Sequence, residues 1–188
     1  MTGNRVDARR NRQRVLEAAE AVFGEKGVTA STEEVAVRAG VGIATVFRHF
    51  PTKQALLEAI VLTRLERLLE VAQEIVANDD PDGFFQLFAR FFAEASRKRD
   101  FGDVLTHAGD SYRSANAALV DELWAAYAIL IARGQSAGRI RPGFEVADVS
   151  ALLAGAHQSL QVIGNNPARR QLLLEMLMDG VRGQTSSG

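Results

Sequence analysis

The chain has no cysteine, and its 188 residues include only four prolines, two tyrosines and one tryptophan. Without thiols there is no disulfide framework and no thiolate metal site, and the composition fits a reducing, cytoplasmic setting. No apolar run reaches the roughly 18 residues of a membrane span. The basic N-terminus also lacks the apolar segment that follows it in a signal peptide. Enzyme signatures are missing as well. His49, His107 and His157 are too dispersed for a local HxxxH or HExxH pair, and no GxSxG, P-loop, GxGxxG or inward Glu-x-x-His spacing occurs. No catalytic residue, metal site or cofactor is therefore expected.

What remains is helix. Apolar residues recur at three- and four-residue intervals along most of the chain, and neither a convincing strand nor an internal repeat is visible. The fold class expected is all-α, with about nine helices: a three-helix N-terminal module followed by a C-terminal bundle. Net charge is −1 overall, but its distribution is uneven. Residues 1–53 hold nine Lys/Arg against six Asp/Glu, a balance of +3, which leaves −4 for the rest. Arg5, Arg9, Arg10, Arg12 and Arg14 face only Asp7 within the first fourteen residues. A basic front on an acidic body suits a polyanionic partner for the front, or a solvated leader that serves solubility alone.

The first helix is expected from about Asp7 to Lys26, on Val15, Leu16, Ala19, Val22 and Phe23, with Gly27 in the left-handed position that closes it. Ser31-Thr32-Glu33-Glu34 has the form of a capping box and predicts a second helix to Ala39. Gly40 then allows a tight turn, Val41 enters the core, and a third helix runs from about Gly42 to His49, where Pro51 stops it. Thr52 caps a fourth helix to about Ala77, whose stripe is Leu56, Leu57, Ile60, Val61, Leu65, Leu68 and Leu69. Further helices are expected from about Asp82 to Arg97, in a short segment at 101–107, from about Ala115 to Ser136, around Val149–Ile163, and from Pro167 to just before Gly180. Two helices joined by Ala39-Gly40-Val41 make a helix-turn-helix pattern. The divisions expected are 1–53 for this module with its basic arm, 54–182 for the bundle, and 183–188 as a disordered tail.

With those residues in place, the stretch "RVLEAAEAVFGEKGVTASTEEVAVRAGVGIATVFRHFPTKQALLEAI" resembles the N-terminal pattern of the tetracycline-repressor (TetR) family of bacterial transcriptional regulators. "AAEAVFGEKG", "VAVRAGV" and "FRHFPTKQALL" carry the resemblance most specifically. The remaining 130 or so residues resemble the family in helix count and order only. The resemblance implies a homodimer on a double-stranded DNA operator, released when a small molecule binds the body.

It also assigns residues. Thr45, His49 and Lys53 match the family's DNA-contacting positions, with Lys53 a point charge for the backbone. Gly42 stands where serine commonly caps the helix, and its free amides still suit a phosphate. Phe47 replaces a tyrosine whose hydroxyl meets a phosphate. With Val41, Val46 and Phe50 it is expected chiefly to anchor the helix in the core. Ile43 and Ala44 occupy the tip presented to bases, where apolar groups can touch thymine methyls but make no bidentate hydrogen bonds. Arg48 is the one strong guanine reader in the helix, or else a phosphate clamp. Arg9, Arg10 and Arg12 of the leader, with Ser31 and Thr32, complete the expected DNA-binding set. The alternative is an effector-binding or scaffold protein whose helix-turn-helix no longer binds DNA, suggested by Gly42 and Phe47.

In the body, Phe88, Phe92, Trp124 and Tyr127 are expected to line an apolar cavity, with His107, His157 and Gln158 as polar points. The same aromatic stripe equally describes plain core. A lipophilic or aromatic effector would suit such a cavity. Ala151, Ala154, Gly155 and Ala156 permit close helix approach, and Leu172, Leu173, Met176 and Leu177 offer apolar area. The last two helices are therefore the expected dimer seam.

Overall fold

The structure is a computed structural model that describes residues 3–97 and 116–183. Among the described residues there are eight α-helices, one short 3₁₀ turn and no strand beyond an isolated bridge between Ile140 and Arg182. The segment expected at 101–107, His107 with it, lies outside the described residues. So do residues 184–188 of the expected tail. No described helix is long and apolar enough to cross a membrane. The described residues form two compact units, one running to Arg64 and the other comprising Leu65–Arg97 and Asn116 onward.

In the first unit α1 spans Gly3–Lys26. It buries Val15, Leu16, Ala19, Val22 and Phe23, the apolar face read from the sequence. Gly27, at φ +77°, ends it and opens the 3₁₀ turn Gly27–Thr29. Helix α2 spans Thr32–Ala39. Its start is the capping box: the Glu34 amide donates to Ser31 Oγ at 3.2 Å, and the Ser31 amide donates to the Glu34 carboxylate at 2.9 Å. These bonds satisfy donors that a helix start otherwise leaves to water. Helix α3 spans Ile43–His49 and α4 spans Lys53–Ala77. Thr52 Oγ accepts from the Ala55 amide at 3.0 Å, so α4 also starts on a side-chain cap.

The second unit holds the C-terminal part of α4 with α5 (Gly83–Arg97), α6 (Ala117–Ser136), α7 (Val146–Ile163) and α8 (Pro167–Val181). Between α4 and α5, Asp79 takes a left-handed conformation at φ +54°. Arg133 holds that turn: its Nε lies 2.8 Å from Asp79 Oδ1, and Nη2 donates to the Val76 carbonyl at 3.0 Å. Gly83 is a close-approach glycine. A Cβ there would sit 2.8 Å from Leu130 Cδ2 and 2.9 Å from Ile75 Cγ2.

Among the described residues, apolar packing in this unit gathers around Phe84 and around Phe92. Phe84 stacks on Phe88 (centroids 5.9 Å apart) and meets Tyr127 and Phe144 edge-on at 6.0 and 5.5 Å. Phe92, Ala156 and Leu160 form a second cluster with Ile163, Leu173, Leu174 and Leu177, joining α5, α7 and α8. Two further helix starts are capped: Glu145 N–H donates to Asp148 Oδ2 at 2.8 Å at the start of α7, and Asn166 Oδ1 accepts from the Arg169 amide at 3.1 Å at the start of α8.

One expected stop is corrected. Gly180 does not end α8, which continues to Val181. Val181 is buried, and its carbonyl accepts from the Arg141 amide at 3.0 Å. That tertiary anchor outweighs the roughly 1 kcal/mol that a glycine costs within a helix.

Candidate DNA interface

Helices α1, α2 and α3 pack on one another and present α3 as a seven-residue helix. So short a helix is not stable in isolation. It is held at two points: Val46 and Phe50, four residues apart, are both buried. Burial of side chains this size contributes about 2 kcal/mol each. The turn before α3 is fixed from the other side. Gly40 sits at φ +64°, its amide donates to Ala36 and Val37 carbonyls, and the Val41 amide donates to Ala36 O at 3.1 Å. The Arg14 guanidinium then donates to the Ala39 carbonyl at 2.5 Å. Val41, expected in the core, is only half-buried. The hydrogen-bonded turn holds it in place of full packing.

The remaining positions of α3 face outward. Gly42, Ile43, Ala44, Phe47 and Arg48 are exposed, while Thr45 and His49 are half-buried. Phe47 corrects an expectation: it is not part of the anchor but 42% exposed, with Ile43 one turn earlier at 36%. The reason is geometric. Val46 and Phe50 already define the buried edge of this helix, and Phe47 lies about 100° round from Val46, on the Ile43 side. Gly42 is the N-cap residue with no side-chain bond, and a Cβ there would meet nothing within 4 Å.

His49 closes the helix beside Phe50, ring centroids 6.4 Å apart. Its Nε2 is buried with no hydrogen-bond partner among the described residues. Desolvation, and then the charges of Arg48 and Arg12, hold its pKa below the ordinary histidine value. The neutral ring is thus favoured in the free protein. The Arg12 guanidinium lies 5.1 Å over the Phe50 ring, and Lys53 Nζ lies 5.6 Å over that of Phe23. Both cations are oriented by aromatic faces.

The module therefore brings together Gly42, Ile43, Ala44, Thr45, Phe47, Arg48 and His49 on or beside α3, with Lys53 at the start of α4. Arg9, Arg10 and Arg12 are exposed on α1. Ser31 is engaged in the capping box. Thr32 is buried, its hydroxyl 3.5 Å from the Glu33 carboxylate, so it takes a packing position. Arg14, read in the sequence only as part of the leader, instead rivets α1 to the turn. Its place next to Val15, at the edge of the buried face of α1, is the one local hint of that role. In the body, Phe88, Phe92 and Tyr127 are buried, Trp124 and His157 half-buried, and Gln158 exposed. Tyr127 Oη has no hydrogen-bond partner among the described residues, and burial pushes its phenol above the ordinary range.

A short helix carried on a helix-turn-helix scaffold, exposed at its start, with Arg48 on it and Arg12 and Lys53 on the flanking helices, has the form of a DNA-binding module. Comparison with known proteins agrees. Residues 15–60 match the family model for bacterial regulatory proteins of the tetR family, and residues 80–183 match the C-terminal domain of SbtR-like transcriptional regulators. A TetR transcription regulatory protein from Mycobacterium vanbaalenii is 32% identical in sequence with a TM-score of 0.68, the match covering 95% of this chain and 98% of that one. A TetR transcriptional regulator from Streptomyces coelicolor is 30% identical with a TM-score of 0.67, over 93% of this chain and 99% of that one. An HTH-type transcriptional regulator of Staphylococcus aureus strain USA300 is 38% identical over 63 residues, 33% of this chain. The chain spans about a third of the length of such curated relatives, 34% in that case. The chain belongs to the TetR family of bacterial regulatory proteins.

Proposed function

We propose that the chain acts as a homodimeric repressor that leaves its operator when a small lipophilic or aromatic effector enters the C-terminal bundle. The observation that carries the DNA half of this reading is the exposed face of α3, with Arg48 near its C-terminal end, Lys53 at the start of α4 and Arg9, Arg10 and Arg12 on α1. These side chains would hold phosphates, as would His49 and the free amides after Gly42. Support for a dimer is the apolar surface left on the last two helices: Leu172 is 48% and Met176 63% exposed, and the small residues Ala151 and Gly155 of α7 are exposed too. Leu173 and Leu177 are half-buried against the α5–α7 cluster and would share both roles. For the effector, support comes from Tyr127, a buried phenol with no hydrogen-bond partner among the described residues, next to aromatic neighbours that include Trp124 at 5.8 Å.

The test is binding to duplex DNA from upstream of the protein's own gene, followed against salt, with sedimentation on the same preparation. The reading expects a dimer and an affinity that falls steeply as salt rises, through release of counterions from the contacted phosphates. Lys53→Ala should weaken all sequences alike. A monomer, or binding indifferent to salt, would remove the reading. Effector response is checked separately, by thermal-shift screening with uncharged aromatic and lipophilic compounds.

A further inference from the structure

The exposed face of α3 is apolar where a base-reading helix usually carries hydrogen-bonding groups. Ile43 and Phe47 are four residues apart and so lie one above the other, with Ala44 beside Ile43. Gly42 brings no side chain, Thr45 is half-buried, and Arg48 is the single exposed side chain of the helix able to make a bidentate bond to a base. Isolated apolar residues on a surface need no explanation. These three are contiguous, and they sit on the helix that the fold presents, with Arg48 on the same helix and the Arg12 guanidinium over the ring of Phe50, which follows it. That charge selects a polyanion, and the apolar strip selects what the polyanion offers. The major groove displays one apolar feature in unmodified DNA, the C5-methyl group of thymine.

Resting on the DNA-binding reading above, we propose that Ile43, Ala44 and Phe47 form a methyl-reading face, and that thymine methyl groups set this protein's operator preference. The side chains would exclude water from those methyls, and base pairs lacking the group at those steps would leave apolar surface unburied on both partners. Arg48 would add one hydrogen-bonded position to a site otherwise defined by methyl positions.

The experiment uses the full chain and two random-sequence duplex pools, one synthesised with thymine and one with uracil, which differs only by the methyl. The thymine pool should enrich a defined site. That site remade with uracil should bind about four-fold more weakly for each contacted methyl removed, the effect of withdrawing one buried carbon-sized apolar group. Phe47→Ala and Ile43→Ala should each shrink the thymine-to-uracil ratio towards one by weakening binding to the thymine form. Both positions are exposed, and unchanged circular-dichroism melts would confirm folding. Equal affinity of the thymine and uracil forms would overturn the methyl proposal and leave DNA binding standing. Failure of both pools to enrich any sequence, with no salt-dependent retention, would overturn the DNA-binding reading and the proposal with it.

Discussion

The guanidinium of Arg14 reaches across twenty-five residues to donate to the carbonyl of Ala39 at 2.5 Å. It thereby ties α1 to the last turn of α2, immediately before the helix that would face DNA. A second, longer contact reaches the Gly40 carbonyl at 3.5 Å. The C-terminal carbonyls of a helix carry partial negative charge and lack intrahelical donors, so a cation there answers both needs.

Arg14→Met keeps the aliphatic stem and removes the donor. A hydrogen bond from a charged group contributes about 1.5–3 kcal/mol, and this partly exposed one belongs at the lower end. Thermal melts should fall by several degrees. Gly40→Ala should also destabilise, because φ is +64° and the new Cβ would lie 2.9 Å from Arg14 Nη2. An unchanged melt in Arg14→Met would show that water serves those carbonyls equally well.

Gly42 offers a gain. Its backbone (φ −70°, ψ 148°) already has the N-cap geometry, no side chain caps α3, and a Cβ meets nothing within 4 Å. Gly42→Ser should stabilise the module by a few tenths of a kcal/mol, the usual advantage of serine over glycine at this position. It should also tighten binding to DNA, since the hydroxyl would stand beside the amides proposed to hold a phosphate. Chemical denaturation and DNA titration of the same variant check both. A loss of stability would mean the N-cap has a different conformation in solution.

The readable part of this fold is the part written in local chemistry. Ser31 with Glu34, Thr52 and Asn166 mark helix starts because their side chains bond amides three residues away, and Pro167 because its fixed φ suits the first helical position, relations contained in the sequence itself. The stripe from Leu56 to Leu69 is legible for a similar reason: a helix 25 residues long repeats its buried face many times. Phe47 and Gly180 defeat such a reading because neither outcome is local. Whether Phe47 is buried depends on which edge of α3 meets α1 and α2, and in a seven-residue helix two anchors fix that edge. Whether Gly180 stops α8 depends on the Arg141 amide, 40 residues earlier by number, meeting Val181. The pairing of Arg14 with Ala39 is hidden for the same reason. At the candidate interface, family resemblance supplies the positions, while the exposure that makes Ile43 and Phe47 one strip comes only from the packing.

The capping box at α2 carries a pH dependence. Glu34 has a lowered pKa, first through its side-chain bond to Lys26, then through the Ser31 amide and the charges of Lys26 and Lys53. A carboxyl whose folded pKa is depressed adds stability above its unfolded pKa, and that stability is lost as pH falls through the folded value. The first unit should therefore lose stability as pH falls below the ordinary carboxylate range. Glu34→Gln should flatten that part of the pH–stability curve. Ser31→Ala should cost about 1 kcal/mol at neutral pH, as for other N-cap removals. If Glu34→Gln melts with the same acid dependence as the parent, other carboxylates govern it and the box is pH-silent.

Tyr127 separates packing from ligand binding. Its ring is buried against Phe84 and Trp124, yet its hydroxyl has no hydrogen-bond partner among the described residues. Burying a hydroxyl without a partner costs about 1–3 kcal/mol by protein mutational scales. Tyr127→Phe removes the hydroxyl and keeps the ring, so the free protein should melt at the same temperature or higher. If the phenol is the polar point for an effector, the same variant should lose most of the thermal shift that an active compound gives the parent, with a weakened dose response for DNA release. Raised stability with an unaltered effector response would make Tyr127 plain core and place the effector elsewhere. A lower melting temperature would mean that the hydroxyl has a partner in solution, and Tyr127 would then be a structural residue.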